Sequence, residues 1–238
     1  MKTIFPSPAT IKRLVKSSLP IRRSKNWWRI KRKLSGLAGL EIGGPSPYFE
    51  AHHLCPAYAV LSTLDHCNIV KSNFSQEGSF LLDATNLHGL KNQQYGAVLS
   101  SHVLEHIANP IKALKEWRRV LKPSGLLLLI LPYRDHIFDH RRDITRFEHL
   151  LEDFQKDVSE SDLSHLPEIL EKHDLGLDPI AGDLDNFRKR SLDNLANRCL
   201  HHHVFDRSLI RETLGFCGFQ ILLSETIDPY SSLILARR

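Results

Sequence analysis

Three carboxylates and a pair of glycines stand where apolar runs end, and their spacing could serve a nucleotide-like ligand. Leu40-Glu41-Ile42-Gly43-Gly44 closes one run, and Asp65 and Asp83 close two more. A strand that ends in glycine lets the backbone approach a ligand closely. An acid about twenty residues on, closing the next strand, suits the two hydroxyls of a ribose. The pattern therefore reads as a nucleoside-cofactor site. A nicotinamide-dependent oxidoreductase shares this strand-glycine-acid logic, but Gly43-Gly44 lacks the third glycine of the full G-x-G-x-x-G turn.

A second set of residues could move protons. His102-Val103-Leu104-Glu105-His106 follows the apolar Ala97–Ser100 and also spells H-x-x-E-H, the pattern of one zinc-peptidase group. That chemistry needs both histidines on one face of a stable helix, and Asn109-Pro110 interrupts only three residues beyond. Tyr133-Arg134-Asp135-His136 begins where the apolar Leu126–Leu131 ends. An imidazole there could deprotonate an acceptor hydroxyl, because histidine titrates near neutral pH and a hydroxyl does not. His136 is the first candidate for such a base and His106 the second. The segment through Asp143 could instead hold a divalent cation or an Arg–Asp ion-pair network. In His201-His202-His203, neighbours on an extended segment point to opposite faces, so at most His201 and His203 could act together. No metal site is assigned from the sequence.

These groups need a scaffold. Short apolar runs at Leu37–Ile42, Tyr58–Leu64, Phe80–Leu82, Ala97–Ser100 and Leu126–Leu131 read as buried parallel strands. Between the last two, Ile111, Leu114, Trp117, Val120 and Leu121 recur at helical spacing and give one core-facing stripe. Gln220–Ser224 and Ser231–Ala236 are too close for a helical crossover and predict an antiparallel hairpin at the sheet edge. From Arg134 to His203 no strand is evident. Thr145-Arg146-Phe147-Glu148 spells a capping box opening a helix toward Phe154, and Pro167–His173 and Asn186–Leu200 read as two more helices. The expected class is α/β: a doubly wound, Rossmann-like, mostly parallel sheet with a C-terminal hairpin and a helical insertion after the fifth strand.

In their order, five segments resemble the S-adenosylmethionine-dependent methyltransferases with a Rossmann-like fold, of the type 11 kind. They are the Leu40–Gly44 turn, Asp83-Ala84-Thr85-Asn86-Leu87, Tyr95–Ser101 leading into His102–His106, Val120–Gly125 with Leu126–Leu131, and the terminal Gly218–Ile221 and Ser231–Ala236. The likeness spans roughly Leu37–Tyr133 and Val204–Arg238. It implies S-adenosyl-L-methionine as cofactor. Glu41 would face its methionine part, Gly43 and Gly44 would form the floor, and Asp65 would take both ribose hydroxyls. Asp83 and the backbone of Ala84 would read the adenine edge, and Ser101 and His102 would line the far side. Pro45-Ser46-Pro47 departs from the small residues usual in that turn. The Pro132–Phe154 pattern looks like methyltransferases associated with surface-glycan synthesis, which implies O-methylation of a small-molecule or carbohydrate acceptor. A non-catalytic cofactor-binding or scaffold protein that keeps the fold is the alternative.

The implied organisation is a basic arm and helix over residues 1–36, a cofactor-binding core over 37–133, an acceptor-side cap over 134–203, and a closing helix and hairpin over 204–238. At 238 residues and 42% hydrophobic content the chain can bury a core of this size. Its formal charge of +5 is unevenly spread, since Met1–Lys33 holds 11 of the 32 basic residues and none of the 27 acids. Such an arm, interleaved with Trp27, Trp28 and Ile30, could touch an anionic membrane surface or pack as a helix over the cofactor cleft. Nucleic acid is the weakest of its three readings. Four cysteines without C-x-x-C or zinc spacing suggest no disulfide framework, and no apolar run approaches the length of a membrane span. The expected location is the cytoplasm, with peripheral contact at a membrane as a further possibility for the arm.

Overall fold

The chain was studied as a computed structural model that describes residues 23–69 and 79–238. Residues 1–22, which hold most of the basic arm, lie outside the described part. Seven strands form one sheet in the order β3-β2-β1-β4-β5-β7-β6. They are β1 (Ala38–Ile42), β2 (Thr63–Asn68), β3 (Ser79–Leu81), β4 (Tyr95–Ser101), β5 (Leu121–Pro132), β6 (Gln220–Asp228) and β7 (Ser231–Arg237). The first five pair in parallel, and β7 inserts antiparallel between β5 and β6. This is the mostly parallel, doubly wound sheet with a terminal hairpin that the sequence predicts.

Residue alternation along the central strands divides the core into two layers. Val98 of β4, Leu127, Leu129 and Leu131 of β5 and Ile234 of β7 face one layer. Ala97 and Leu99, Leu126, Leu128 and Ile130, and Leu233 and Leu235 face the other. Both faces are covered, so these strands read as continuous apolar runs rather than alternating ones. The first layer is closed by α2 (Pro110–Val120) and α7 (Arg207–Phe216). The α2 helix starts where Asn109 accepts a hydrogen bond from the Lys112 amide at 3.0 Å, with Pro110 in the first turn. It buries the predicted stripe of Ile111, Leu114, Trp117 and Val120 completely. Asp206 caps α7 in the same way through the Leu209 amide.

The second layer is covered by α1 (Trp27–Leu34), whose Ile30 and Leu34 are fully buried. Ser24 and Asn26 anchor its start to Glu225 of β6. The helix therefore lies on the hairpin side of the sheet, not over the cofactor cleft as one reading of the sequence has it. Its exposed side carries Trp28, Arg29 and Lys31–Lys33.

The cap contains α3 (Phe147–Gln155), α4 (Leu166–Lys172), α5 (Leu184–Leu192) and α6 (Asn194–Asn197), with a small core of Leu166, Ile169, Ala181, Phe187 and Leu200. Two local expectations fail here. Thr145 does not cap α3: Arg146 occupies that position without a side-chain bond, and the Thr145 hydroxyl accepts from the Val204 amide instead. The single helix expected over Asn186–Leu200 breaks at Asp193, and Arg198 then takes a left-handed conformation with φ 51°.

The largest shift concerns the second strand. Tyr58–Leu64 does not form it: Ala57–Ala59 is a 3-10 turn and β2 begins only at Thr63. Register pairs Asp65 with Leu40, two residues before the end of β1. Among the described residues no helix is long and apolar enough to cross a membrane, and all four cysteines are free thiols.

Candidate functional site

A cleft opens at the carboxyl ends of β1 to β4, where open α/β sheets bind ligands. Gly43, Asn68, Asp83, Ala84, Val103 and His106 wall it from the sheet side, and Glu160 and Arg198 from the cap.

The floor is a turn that only glycine permits. Gly43 has φ 81°, and a Cβ there would stand 2.3 Å from Val103 Cγ2. A Cβ on Gly44 would stand 2.0 Å from Glu41 Cδ. Glu41 is the reason for the second constraint. It points into the second layer, fully buried, and its carboxylate accepts the Ser46 amide at 3.0 Å and the Tyr58 hydroxyl at 2.6 Å. His66 Nδ1 lies 3.1 Å away. The expectation that Glu41 faces the cofactor is thus replaced by an internal role: the carboxylate holds the Pro45-Ser46-Pro47 turn from beneath. Ser46 in turn accepts from the Tyr48 amide, starting the 3-10 turn Pro47–Phe49.

Asp65 is likewise turned from the expected place. Its carboxylate accepts the Tyr95 hydroxyl at 2.7 Å, and Tyr95 is the first residue of β4, at the opposite end of the sheet from the cleft. The residues of β2 that reach the cleft are Cys67 and Asn68, and the Asn68 amide donates to the Gly44 carbonyl at 3.3 Å. Nothing in the sequence distinguishes Asn68 until the true start of the strand is known.

Asp83 and Ala84 stand at the cleft as expected. One Asp83 oxygen accepts from the Thr85 amide and hydroxyl, and the other from Arg198 at 3.0 Å. Burial pushes the carboxyl up, but the Thr85 bonds and the Arg198 charge overcome it and hold the acid below its usual range. Arg198 also pairs with Glu160 at 3.2 Å, and Glu160 accepts the Ala108 amide. Trp117 fixes the adjacent backbone by donating its indole N–H to the Ala84 carbonyl at 3.0 Å.

Ser101, the last residue of β4, is buried, and His102 after it adopts a left-handed conformation with φ 53°; neither lines the cleft. The His102 ring lies between Glu105 at 3.4 Å and the Ser231 hydroxyl at 3.3 Å. Leu104–His106 is a single 3-10 turn, so the H-x-x-E-H residues do not share a helix and the zinc-peptidase reading falls. His106 is the imidazole on the cleft wall. Its Nδ1 lies 3.1 Å from the Leu200 carbonyl, which can only accept, so the lone pair is on Nε2. Burial, with the neighbouring His201, pushes His106 down to about 3, so it stays neutral at ordinary pH. Behind it, His201 stacks edge-on at 4.4 Å and bonds Asp139, which is also paired to Arg142 at 3.1 Å.

His136 is not brought to this place. It is exposed on the 3-10 turn Arg134–His136, against the Tyr133 ring at 5.4 Å, and does not line the cleft. The three consecutive histidines take different hydrogen-bond partners: His201 meets Asp139, His202 meets Asn194 at 3.0 Å, and His203 meets the Ala108 carbonyl at 3.1 Å. His201 and His203 therefore serve different neighbourhoods despite lying on one face of an ideal strand.

Residues 40–129 match the family described as methyltransferase domain, a span running from β1 through most of β5. No curated protein sequence matches the chain. Among solved structures, an S-adenosylmethionine-dependent methyltransferase from Mesorhizobium loti superposes with a TM-score of 0.52 at 16% identity, covering 89% of this chain and 97% of that one. The trans-methyltransferase CalH in complex with S-adenosylhomocysteine gives a TM-score of 0.52 at 18% identity, covering 89% of this chain and 54% of CalH. The 1,6-didemethyltoxoflavin-N1-methyltransferase of Burkholderia thailandensis, with 1,6-didemethyltoxoflavin and S-adenosylhomocysteine bound, gives 0.50 at 11% identity over 95% and 81%. The sheet order, the glycine turn and the matched span agree: residues 40–129 match a methyltransferase domain, and the chain has the fold of the S-adenosylmethionine-dependent methyltransferases.

Proposed function

We propose that this enzyme transfers the methyl group of S-adenosyl-L-methionine to an oxygen of a small-molecule or carbohydrate acceptor that enters beneath the cap. The observation that carries the reading is the shared wall: Gly43, Asn68, Asp83 and Ala84 line the same cleft as the neutral imidazole of His106. The donor set suits an adenosine. Gly43 keeps the floor free of a Cβ, Asn68 offers an amide in the place expected of Asp65, and Asp83 offers a carboxylate oriented by Thr85. When bound, the cofactor supplies an electrophilic methyl on a sulfonium. The protein's part is alignment and the removal of one proton. His106 Nε2 is the group we assign to that proton, in place of the exposed His136: held down to about 3 it is too weak to deprotonate a free hydroxyl, and it takes the proton as the attacked oxygen becomes a strongly acidic oxonium. The imidazolium has a carboxylate close by in Glu105, which is buried and held below the usual range: burial opposes this, while His102, His106 and His201 outweigh it.

The 134–203 segment would then form the acceptor side, and a glycan rests on its resemblance to glycan-associated methyltransferases. Calorimetry with S-adenosylhomocysteine tests the cofactor site. Wild type should bind; Asn68→Ala and Asp83→Ala should weaken binding about threefold to tenfold, the scale of one net hydrogen bond, and Asp65→Ala should not. No binding to the wild type would favour the non-catalytic scaffold. With an acceptor found by label transfer among hydroxyl compounds, His106→Ala should lower turnover about a hundredfold while S-adenosylhomocysteine affinity holds.

A further inference from the structure

The cap holds a constellation for which methyl transfer has no use. His149 and Asp153 stand one turn apart on α3, His165 precedes the first residue of α4, and His203 lies on the segment leading to α7. His149 Nε2 is 2.9 Å from His165 Nε2 and 3.3 Å from Asp153 Oδ2, and His203 Nε2 is 3.6 Å from that same oxygen. The four donor atoms all lie within 4.8 Å of one another. The three imidazoles meet pairwise at ring angles of 62° to 90°, so their edges converge rather than their faces.

Two independent observations point to a cation between them. One is the spacing. A tetrahedral zinc ion about 2.0–2.1 Å from each donor holds its ligands about 3.3 Å apart. The contacts of 2.9, 3.3 and 3.6 Å straddle that value. The other is Asp153. The residue is 6% exposed, and its Oδ2 accepts no hydrogen bond among the described residues although imidazole nitrogens surround it. A buried carboxylate oxygen left unfilled is costly, and a cation would fill it. His203 Nε2 has another contact, the Ala108 carbonyl at 3.1 Å, which ligation would replace.

We propose that His149, Asp153, His165 and His203 bind one divalent transition-metal ion, zinc being the natural match for three imidazoles and a carboxylate. Four protein donors close the tetrahedron and leave no position for a substrate, so the ion is structural. It ties α3 and the start of α4 to the segment entering α7, and so closes a long loop of the cap. The assignment stands apart from the methyl-transfer chemistry, and no readout below depends on activity.

The test uses the full chain, stripped with chelator, returned to zinc sulfate, gel-filtered and assayed for metal by mass spectrometry. One equivalent per chain is expected, with a melting temperature that rises on zinc addition and falls again with chelator. Cobalt(II) in place of zinc should give the intense visible absorption of a four-coordinate ion. His165→Ala and His149→Ala, both at partly exposed positions, should each weaken zinc binding at least tenfold. If these variants do not fold, the wild-type stoichiometry and cobalt spectrum still decide. Fewer than about 0.1 equivalents in the wild type, or the weak spectrum of an octahedral ion, would overturn the proposal. So would zinc binding that survives His165→Ala but is lost in Glu105→Gln, because the ion would then sit with Glu105, His106 and His201.

Discussion

Replacing Asp139 with asparagine removes a charge from the best-sealed ion pair in the cap while preserving its shape. Asp139 and Arg142 are each 2% exposed and 3.1 Å apart. Arg142 also donates to the carbonyls of His201 at 2.7 Å and His202 at 3.2 Å, while its only other carboxylate neighbour among the described residues is Glu168 at 3.7 Å. The variant leaves a buried guanidinium with little compensation, a loss of about 3 kcal/mol or more. Part of that loss carries a pH signature. Burial alone would raise the Asp139 carboxyl, but the His201 imidazole and the Arg142 guanidinium reverse this and bring it from 3.8 to about 2. At about 1.4 kcal/mol per pKa unit, the depression contributes about 2 kcal/mol. A carboxyl depressed on folding stabilises above its unfolded pKa, and the benefit is lost as pH falls through the folded value. The gap between wild type and Asp139→Asn should therefore grow from pH 7 to 5, because burial would lower the His201 imidazole but Asp139 holds it above its usual range, and the carboxyl-linked part should shrink to about half by pH 3. Urea unfolding of both proteins at pH 7, 5 and 3, followed by tryptophan fluorescence, measures it. S-adenosylhomocysteine affinity should change less than about twofold, since Asp139 does not line the cleft. A loss under about 1 kcal/mol at pH 7, or a gap that stays constant down to pH 3, would refute the argument.

Two further outcomes are expected. Gly44→Ala should destabilise the fold by at least the 1–3 kcal/mol typical of overpacking. Its Cβ would fall 2.0 Å from Glu41 Cδ, and scanning calorimetry showing an unchanged melting temperature would contradict the buried-carboxylate account of the turn. The exposed face of α1 carries Lys31, Arg32 and Lys33 with Trp28 62% exposed, and it continues the charge of the basic arm. Reversing those three charges should reduce sedimentation of the full chain with anionic liposomes at low salt, and equal sedimentation would remove the membrane reading of the arm.

Much of the framework is legible in local pattern. The Val120–Leu131 region, the α2 stripe and the terminal hairpin follow from periodicity and turn residues, because burial on both faces leaves long apolar runs that no other element produces. Gly43 and Asp83 follow because strand ends are where backbone must turn and ligands approach. Local pattern misleads where apolar residues are buried without being strand. Tyr58–Leu64 is as apolar as a strand, yet Tyr58 is spent on Glu41 and Leu61 packs beneath Gly39. The strand therefore starts at Thr63, and Asp65 moves from the cleft end toward Tyr95. The same limit applies to the histidines. His136 follows a strand and looks catalytic, but only packing decides that it faces solvent while His106 is sealed against Leu200. The i, i+4 spacing of His149 and Asp153 is visible in the sequence. That His165 and His203 meet them is not, since the donors come from three segments whose convergence depends on the cap's own core. Sequence by itself determined the sheet, its order of elements and the glycine turn, because those arise from short-range patterns of burial. Which carboxylates and imidazoles face the cleft was decided by tertiary structure, because a shift of a strand start or a helix break redirects every side chain beyond it.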